Sequence, residues 1–459
     1  MRIGKRLEIM DHPATARIAI IGAGPSGLSQ MRAFALLESS GQKIPEIVCF
    51  EKQNDWGGMW NYTWRTGFDK YGEPVHGSMY RHLWSNAPKE CHEFADYSFD
   101  HHFSKSIPSF IPREAFRDYI LGRAEESNMR RCIQFNTVVS YVEFDREKEI
   151  FHVRKKNLTT GKSSIEDFDY VIVAVGHFSM PNVPYVEGIE TFPGQVIHSH
   201  DFRDARQFAE QSILVIGGSL SAEDIALQTF KFGAKSITIS YRTKPIGCKW
   251  PSKIEEKPLL TRMEGRSAHF PDGSERDFDS IILCTGYKHH FPFLNDDLRL
   301  VTTNCFYPSQ LYKGIFFQEQ PRLIYLGMQN LYFSLSLFDA QTWYVRDVIL
   351  GRIPFPNKLQ RAEDMLSWKT REEKIKDKLD ALDFQTAYLK ELTSATDYPL
   401  DDLRLSGTAA TFKNFLDDKE SNIINYRDKQ YTSSITGTKA VMHPTPWMEV
   451  NNYSSVDFL

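Results

Sequence analysis

The amino-acid sequence of 459 residues predicts an α/β fold in which one parallel-sheet module is inserted into another. Three observations support this prediction. Residues 18–37 read as a buried strand, a glycine-rich turn and a helix, and residues 212–227 repeat that order. Apolar runs at residues 170–177 and 280–287 read as the closing strands of the two modules, and a strand at 323–327 returns the chain to the first. Because strands that alternate with helices favour parallel sheets, we expect two Rossmann-like domains.

The first turn matches the dinucleotide fingerprint G-x-G-x-x-G. Gly22 suits the tight turn, Gly24 lets the backbone approach a pyrophosphate, and Gly27 lets the helix pack closely on the strand. The helix N-terminus offers N–H groups to phosphate oxygens. Glu51 follows a second strand, at residues 47–50, where a carboxylate can accept hydrogen bonds from ribose hydroxyls. The first module is therefore predicted to bind a dinucleotide.

Two segments after the second strand are expected to line this site. Gly57 and Gly58 lie between two tryptophans, which suggests backbone that passes close to a planar ring system, although a packed turn shows the same pattern. Residues 79–90 lack the period of a helix or a strand, so we predict a loop or a short helix there.

The second turn carries Gly217, Ser219 and Ala222 at the three fingerprint positions, where small side chains still permit a close approach. The next strand, at residues 236–240, is followed by Arg242 instead of an acid. An arginine at this point can bind a 2′-phosphate bidentately, although a strand-end arginine can also be a plain surface residue. We therefore expect NADPH rather than NADH as the second dinucleotide.

The remaining predicted elements complete the two domains. Three prolines between residues 181 and 193 mark a crossing between modules. The predicted boundaries are 1–180 with 295–459 for the first domain and 181–294 for the second. We also predict a helix at 111–124 with Pro112 near its start, strands at 135–141 and 150–155, a turn at 161–169, a helix at 338–352, charged helical residues with a solvated face at 358–392, and a loop-rich segment at 398–459 that wraps the surface.

Composition excludes several classes of protein. A formal charge of -4 and the absence of a basic stripe argue against nucleic acid as a partner. Six scattered cysteines without a C-x-x-C motif argue against a redox dithiol, a metal site and a disulfide framework, and they fit a reducing cytoplasm. There is no signal-peptide pattern, no apolar run near the ~18–20 residues that a membrane helix needs, and a polar tail at 450–459. We therefore expect a cytoplasmic protein without metal, nucleic acid or membrane partner. Whether the protein forms a homodimer is left open by the sequence.

The stretch from Phe192 to Phe202 carries a specific motif. It reads F-x-G-x-x-x-H-x-x-x-F, with His198 at the fixed histidine position, just before the second dinucleotide turn. This pattern resembles the identifying motif of flavin-containing monooxygenases, and the resemblance extends over nearly the whole chain. The loop at 84–90, the turn at 284–287 and the short C-terminus are most similar to the bacterial trimethylamine monooxygenase branch of that family.

The resemblance implies FAD in the first domain, NADPH in the second, and hydride transfer from NADPH to FAD. Oxygen then adds at flavin C4a, and a soft nucleophile takes one oxygen atom from the resulting hydroperoxide inside a dry pocket. The implied substrates besides O2 are a small tertiary amine such as trimethylamine, which becomes an N-oxide, or a sulfide, which becomes a sulfoxide. A Baeyer–Villiger monooxygenase that acts on ketones and an uncoupled NADPH oxidase are the alternatives.

The resemblance also implies which residues form the site. Asn86 is the expected catalytic residue, because an amide between flavin and nicotinamide can both donate and accept hydrogen bonds. His198 is expected to organise the domain junction, and His289 and His290 are expected to be structural. The cofactor contacts are expected at Gly22, Gly24, Pro25, Ser26, Gly27, Glu51, Gln53, Gly58, Met59, Trp60, Ser85, Asn86, Val138 and Gln329 for FAD, and at Gly217, Ser219, Leu220, Ser221, Arg242, Thr243, Cys284, Thr285, Gly286 and Tyr287 for NADPH.

Three positions depart from the pattern of the trimethylamine-oxidising branch. Leu220 stands where a tyrosine is expected, and Asn330 and Tyr332 stand where an acid and a tryptophan are expected. An aromatic wall can still hold a small methylated amine through apolar and amine–π contacts. Tyr332, Phe333 and Phe415 are the predicted substrate wall, with ordinary core packing as the alternative.

Overall fold

Two sheets built mainly of parallel strands organise the chain in the computed structural model, which describes residues 15–450. One sheet has seven strands and the other has five. The predicted α/β fold with two Rossmann-like modules is therefore confirmed. Within the described range, no helix has the length and apolar character to cross a membrane. The predicted polar tail lies outside the described residues beyond residue 450.

Strands β1 to β20 and helices α1 to α8 follow one another in chain order within residues 15–450. The strands before the inserted module are β1 Arg17–Ile21, β2 Glu46–Phe50, β3 Ile133–Gln134, β4 Thr137–Asp145, β5 Ile150–Asn157, β6 Ser163–Phe168, β7 Tyr170–Val173 and β8 Met180–Pro181. Those that follow, up to the return crossing, are β9 Gln195–His198, β10 Ser212–Ile216, β11 Ser236–Tyr241, β12 Ile254–Pro258, β13 Arg262–Glu264, β14 Ser267–His269, β15 Glu275–Asp277, β16 Ser280–Leu283 and β17 Tyr287–Lys288. The last strands are β18 Leu311–Tyr312, β19 Phe316–Phe317 and β20 Leu323–Tyr325. The helices are α1 Pro25–Ser39, α2 Phe99–Phe103, α3 Arg113–Glu126, α4 Leu220–Lys231, α5 Ser334–Ile349, α6 Lys358–Glu372, α7 Lys378–Thr393 and α8 Asp402–Ser421.

The seven-stranded sheet has the order β18-β19-β20-β7-β1-β2-β3. Strand β1 lies inside it and pairs in parallel with β2 on one side and β7 on the other. Ile18, Ala19 and Ile20 are completely buried, as expected for a parallel strand that is covered on both faces. Strands β18 and β19 extend the sheet in antiparallel orientation. The first fingerprint turn therefore leaves the sheet from an interior strand.

The five-stranded sheet is parallel throughout, with the order β12-β11-β10-β16-β9. Its strands fall in sequence between β7 and β20, which are paired neighbours in the other sheet. The second module is thus an insertion into the first, as predicted. The two crossings between modules pair with each other, since Tyr287 of β17 lies opposite Pro181 of β8. The predicted domain boundaries at residues 181 and 294 lie close to these crossings, and the boundaries themselves stay a prediction.

Most other predicted elements are present with shifted bounds. Helix α3 begins at Arg113 because Pro112, with its fixed φ, occupies the preceding cap position. Helix α5 begins at Ser334, earlier than predicted. The turn predicted at residues 161–169 is wrong, because most of this stretch forms strand β6, which pairs with β5. Most side chains of this strand are polar and face solvent. The sequence therefore lacks the alternation of apolar and polar residues that would have predicted a strand.

The charged stretch at residues 358–392 forms two helices, α6 and α7. Each buries one face, which includes Trp368 in α6 and Leu389 in α7, and charged side chains occupy much of the remaining surface. The predicted helical character is confirmed, and the break between the helices falls at residues 373–377.

The prediction that residues 398–459 form a loop-rich segment on the surface is wrong for part of the described residues, which end at residue 450. Helix α8 takes twenty residues of this segment, and Tyr426 and Trp447 after it are buried in the main hydrophobic core. The helix buries one face because apolar residues recur every three or four positions, at Leu405, Ala409, Phe412 and Leu416. The C-terminal segment is therefore part of the core that supports the site.

Candidate functional site

The first fingerprint turn has no room for side chains at two of its glycines. Gly22 has φ +104°, and a Cβ there would lie 2.6 Å from the carbonyl oxygen of Ala174. A Cβ on Gly27 would lie 2.1 Å from the carbonyl oxygen of Gly22. Both contacts are shorter than van der Waals distance, so the turn and helix α1 can approach β1 this closely only with glycine.

Two glycines lie against each other at the start of helix α1. Gly24 is the cap residue, and no side chain caps the first turn, whereas Asn357, Asp377 and Asp401 cap α6, α7 and α8. Gly58 approaches from the other side, and a Cβ on it would lie 2.7 Å from the Cα of Gly24. A helix start that no side chain caps fits a pyrophosphate, which supplies the negative charge that the helix terminus favours.

The carboxylate of Glu51 lies beside this turn. It accepts hydrogen bonds from the N–H of Ala23 (2.7 Å) and of Gln53 (2.8 Å), one on each oxygen. Burial raises the pKa of this carboxyl above its usual range, and the two N–H donors oppose that shift. Each oxygen keeps a lone pair for a ribose hydroxyl. The N–H of Thr137 donates to the Glu51 carbonyl (2.9 Å), which brings the predicted contact Val138 to the same edge.

Three other predicted FAD contacts lie in two different environments. The Gly58–Trp60 turn begins at the glycine that contacts Gly24. In this turn Met59 is half-buried, and the Trp60 ring stacks on Phe116 with a centroid distance of 4.4 Å. The side chain of Gln329 is instead fully buried and bonded to the carbonyl of Gly314 (2.9 Å) and to Gln341 (3.0 Å). A contact between Gln329 and a cofactor would therefore come from its backbone.

The loop with Ser85 and Asn86 is fixed by hydrogen bonds on either side of the asparagine. The N–H of Ser85 donates to the carbonyl of Ile111 (2.9 Å), and the Ser85 hydroxyl accepts from the N–H of Ile111 (3.2 Å). The N–H of Lys89 donates to the carbonyl of Ser109 (2.7 Å). Asn86 itself is exposed, and its amide side chain has no hydrogen-bond partner among residues 15–450. A rigid loop thus presents an uncommitted amide.

The second turn repeats the geometry of the first. Gly217 has φ +146°, and a Cβ there would lie 2.2 Å from the carbonyl oxygen of Cys284. Ser219 is the cap residue of α4, yet its hydroxyl makes no capping bond. Leu220 and Ser221 open the helix with exposed side chains, and Leu220 is 49% exposed. The N–H groups at this helix terminus are therefore also available to a phosphate.

Three polar side chains follow strand β11 at the edge of this turn. Arg242, Thr243 and Lys244 are all exposed. None of them forms an ion pair with a described residue, although salt bridges are frequent elsewhere on the surface. The Arg242 guanidinium is thus open to an anionic ligand such as a 2′-phosphate.

The two crossings between modules meet beside the second turn. The N–H of Asn182 donates to the carbonyl of Gly286 (2.9 Å), and the hydroxyl of Thr285 donates to the carbonyl of Asn182 (2.6 Å). These bonds hold the predicted contacts Cys284–Tyr287 in a fixed turn at the carboxyl end of β16.

Tyr287 connects this turn to both modules. Burial raises the pKa of its phenol, and the side chains of Ser199 and Ser78 oppose that shift. The ring of His198 lies edge-on to Tyr287 at 5.2 Å, and burial lowers the pKa of this histidine to about 4. A neutral His198 packed at the crossing agrees with the predicted role in the domain junction.

The predicted structural role of the paired histidines holds for one of them. His289 stacks on His177 at 4.6 Å, and its ring bonds to the carbonyl of Met328 (3.0 Å). His290 is exposed. Over residues 15–450, no group of three or more His, Cys, Asp or Glu side chains could hold a metal ion.

The three predicted substrate-wall residues belong to one aromatic cluster. Phe412 joins them, with ring centroids 5.3 Å from Tyr332, 5.8 Å from Phe333 and 5.6 Å from Phe415. Phe333 and Phe415 are buried, whereas Tyr332 is half-buried and is the member nearest to solvent. The cluster can therefore present an aromatic surface mainly through Tyr332.

Sequence reasoning missed residues that lie behind the site. Phe412 lies in α8, where no helix was predicted, although its three-to-four spacing with Ala409 and Leu416 was visible in the sequence. Asp224 and Arg427 form a buried ion pair behind the second turn, with a distance of 2.6 Å. Nothing local in the sequence marks that pair.

The chain is similar to proteins of one family over nearly its whole length. The family described as Flavin-binding monooxygenase-like matches residues 15–250 and 245–398. The trimethylamine monooxygenase of Methylocella silvestris is 58% identical over 94% of this chain and 96% of its own. The crystal structure of Tmm from Pelagibacter sp. strain HTCC7211 has a TM-score of 0.94 and 49% identity, covering 97% of this chain and 100% of that one. The S-allyl-L-cysteine S-oxygenase of Allium sativum has a TM-score of 0.79 and 27% identity, covering 92% and 96%.

Proposed function

The chain belongs to the flavin-binding monooxygenase-like family, and we propose that it oxidises small tertiary amines such as trimethylamine to their N-oxides. It is an FAD- and NADPH-dependent monooxygenase, as this family is. The observation that carries the choice of substrate is the identity of 58%, over nearly the whole chain, with an enzyme that is named for trimethylamine. The uncommitted amide of Asn86 supports the same chemistry.

The two glycine-rich turns would hold the cofactors. The start of α1 at Gly24, beside Gly58, would hold the FAD pyrophosphate, and Glu51 would accept hydrogen bonds from the adenosine ribose. The N-terminus of α4 would hold the NADPH pyrophosphate, with Arg242 on the 2′-phosphate. When bound, FAD reduced by NADPH supplies the electrons that activate oxygen.

Asn86 would act where the activated oxygen reacts. Its side chain offers two N–H donors and one carbonyl acceptor, and no described residue uses them. A fixed amide can stabilise a polar oxygen species without reorganising during the reaction, and it can hold the nicotinamide in place to exclude water. We propose this role for Asn86 because the loop on either side of it is bonded to residues 109–111.

The aromatic cluster would bind the methyl groups of the substrate. Tyr332 presents a half-buried ring, supported from behind by Phe412. An aromatic surface in a dry pocket contacts a neutral amine and a sulfide in the same way, through apolar contact. The cluster therefore does not distinguish an amine substrate from a sulfide substrate. S-oxygenation of a sulfide is therefore the second candidate activity, and the identity of 27% with an S-oxygenase favours testing it.

A direct assay tests this proposal. Purified holoenzyme is mixed with NADPH and air, and with trimethylamine, dimethyl sulfide or cyclohexanone in parallel, while NADPH loss, hydrogen peroxide and oxygenated product are measured. We expect trimethylamine N-oxide in near-stoichiometric yield with NADPH. Ester from cyclohexanone as the main product, or peroxide as the only product with every substrate, would contradict the proposal.

Replacing Arg242 by alanine is expected to raise the KM for NADPH by about 10- to 100-fold, because one charge-assisted contact to the 2′-phosphate is lost. The KM for NADH, which lacks that phosphate, should change little. Steady-state kinetics with both dinucleotides measure the difference. Arg262→Ala, which removes another exposed arginine of the same module, serves as the control and should leave both values unchanged. Equal effects of Arg242→Ala on NADPH and NADH would remove the 2′-phosphate assignment.

We further infer that the protein is cytoplasmic and acts without a nucleic-acid or membrane partner. All six cysteines lie in the described range and none of them is paired, which suits a reducing compartment. The homodimer remains a prediction that light scattering of the purified protein can test.

A further inference from the structure

Helix α4 of the inserted module packs against the C-terminal segment through two buried ion pairs. Glu223 pairs with Lys419 of α8 at 3.1 Å, and the next residue, Asp224, pairs with Arg427 at 2.6 Å. All four side chains are at most 10% exposed. The same helix begins at Leu220, so both pairs lie directly behind the terminus that would hold the NADPH pyrophosphate.

Arg427 differs from Lys419 because it also reaches the loop with Asn86. Its Nη2 donates to Asp224, and its Nε donates to the backbone carbonyl of Ser85, in a longer bond of 3.4 Å. Its side chain is completely buried. The guanidinium lies over the rings of Tyr426 (4.7 Å) and Trp447 (4.4 Å), which restrict its position. One side chain therefore joins the start of α4 to the residue before Asn86.

This arrangement is better suited to fixing positions than to stabilising the fold. Burying a charged pair costs nearly as much desolvation free energy as the attraction returns. The third nitrogen of Arg427, Nη1, is buried and has no hydrogen-bond partner within residues 15–450, which adds to the cost. An apolar side chain would fill this space at least as favourably. Only an arginine has a planar fork that can bond a carboxylate and a backbone carbonyl in fixed directions.

We propose that Arg427 is a positioning residue that holds the Asn86 loop in register with the NADPH-binding end of α4, and that this register keeps oxygenation coupled to NADPH oxidation. The inference rests on the proposed function, since it assigns Asn86 and α4 their roles there. A shift of the loop by a fraction of an ångström would move the Asn86 amide away from the reacting atoms. The nicotinamide would then shelter the site less well, and hydrogen peroxide would be released instead of N-oxide.

Three variants separate this role from a purely structural one. Arg427→Met removes both contacts, and Asp224→Asn weakens the ion pair while keeping the shape of the side chain. Glu223→Gln is the matched control, because it breaks the adjacent buried ion pair, whose lysine makes no hydrogen bond to residues 84–90. For each variant, the bound flavin, the thermal midpoint, the N-oxide formed per NADPH oxidised, and hydrogen exchange of the amides in residues 84–90 are measured.

We expect Arg427→Met to lower the N-oxide yield per NADPH by about tenfold, with a matching rise in hydrogen peroxide and unchanged flavin content. Asp224→Asn should change the yield in the same direction, and both should speed amide exchange in residues 84–90. Glu223→Gln should lose thermal stability but keep the wild-type yield and the wild-type exchange in that loop. If Arg427→Met does not fold, the comparison of Asp224→Asn with Glu223→Gln tests the inference. Equal yields or equal loop exchange in those two variants would overturn the inference, whereas a wild type without N-oxide would refute the proposed function instead.

Discussion

Replacing Asn86 by serine is expected to leave FAD bound while lowering the yield of N-oxide per NADPH oxidised by about 100-fold. Serine keeps a hydroxyl but removes the amide, which alone offers two donors and an acceptor in one plane. The folded protein should tolerate the change, because the Asn86 side chain is exposed and bonds to none of residues 15–450. The measurement is the ratio of N-oxide to NADPH consumed, with hydrogen peroxide and flavin absorbance recorded on the same sample.

Asn86→Asp is the matched control for shape. It keeps one acceptor oxygen in place of the carbonyl and replaces both N–H donors by a second oxygen, so it should uncouple the reaction as fully as serine does. Retained coupling in aspartate but not in serine would show that the acceptor, not the donors, is used. An unchanged product yield in Asn86→Ser would mean that the amide is dispensable.

The two dinucleotide turns could be predicted because their constraints are local. At Gly22 and Gly217 the backbone takes a positive φ and passes within contact distance of the residue that follows the neighbouring strand, β7 or β16. Only glycine meets both conditions, so the residue type alone reports the geometry. The insertion of one module into the other was also predictable, because each turn comes with its own apolar strands.

The C-terminal segment could not be predicted as readily. Helix α8 contains Gly407 and several Ser, Thr and Asn residues, which have low helix propensity, and it buries a lysine, Lys419. Its helical state is decided by packing against the first module, not by local preference. The signals that were present are the Asp401 cap and the spacing of Leu405, Ala409 and Phe412.

The residues that connect the modules could not be predicted at all. Arg427 bonds to Asp224, 203 residues away, and to Ser85, 342 residues away. Such contacts follow from how the modules and the C-terminal segment pack, and one sequence carries no record of that packing. The role predicted for the loop with Asn86 came only from a family resemblance, since residues 79–90 show no period of their own.

A second buried ion-pair network lies behind the first dinucleotide turn and joins three helices. Arg123 of α3 donates to both oxygens of Asp339 in α5 (2.6 and 3.1 Å) and to Asp96 (2.7 Å). Arg32 of α1 holds the other oxygen of Asp96 at 2.8 Å. Asp339 is completely buried. Because α1 carries the turn that would hold the FAD pyrophosphate, this network fixes the position of the helix that would bind FAD.

Arg123→Met is expected to destabilise the protein by about 3–5 kcal/mol, because it leaves the carboxylate of Asp339 buried without a cation. FAD should be lost in parallel as α1 loosens, so purified protein should carry less flavin. Urea unfolding and the flavin-to-protein absorbance ratio measure the two effects. The double variant Arg123→Met/Asp339→Leu removes the uncompensated charge and should recover much of the stability. Asp96 keeps its partner Arg32 in both variants.

The pH dependence of these variants follows from the same carboxyl group. Burial raises the pKa of Asp339 above its ordinary value even with Arg123 beside it, and loss of the cation raises that pKa further. Between the unfolded pKa of about 4 and the raised folded pKa, the folded state binds more protons than the unfolded state. The stability of Arg123→Met should therefore fall as pH rises through this window, so its urea midpoint should be higher near pH 5.5 than near pH 8. The double variant, which has no carboxyl at residue 339, should lack this extra slope. A single variant with the same slope as the double one would show that Asp339 finds another cation when Arg123 is removed.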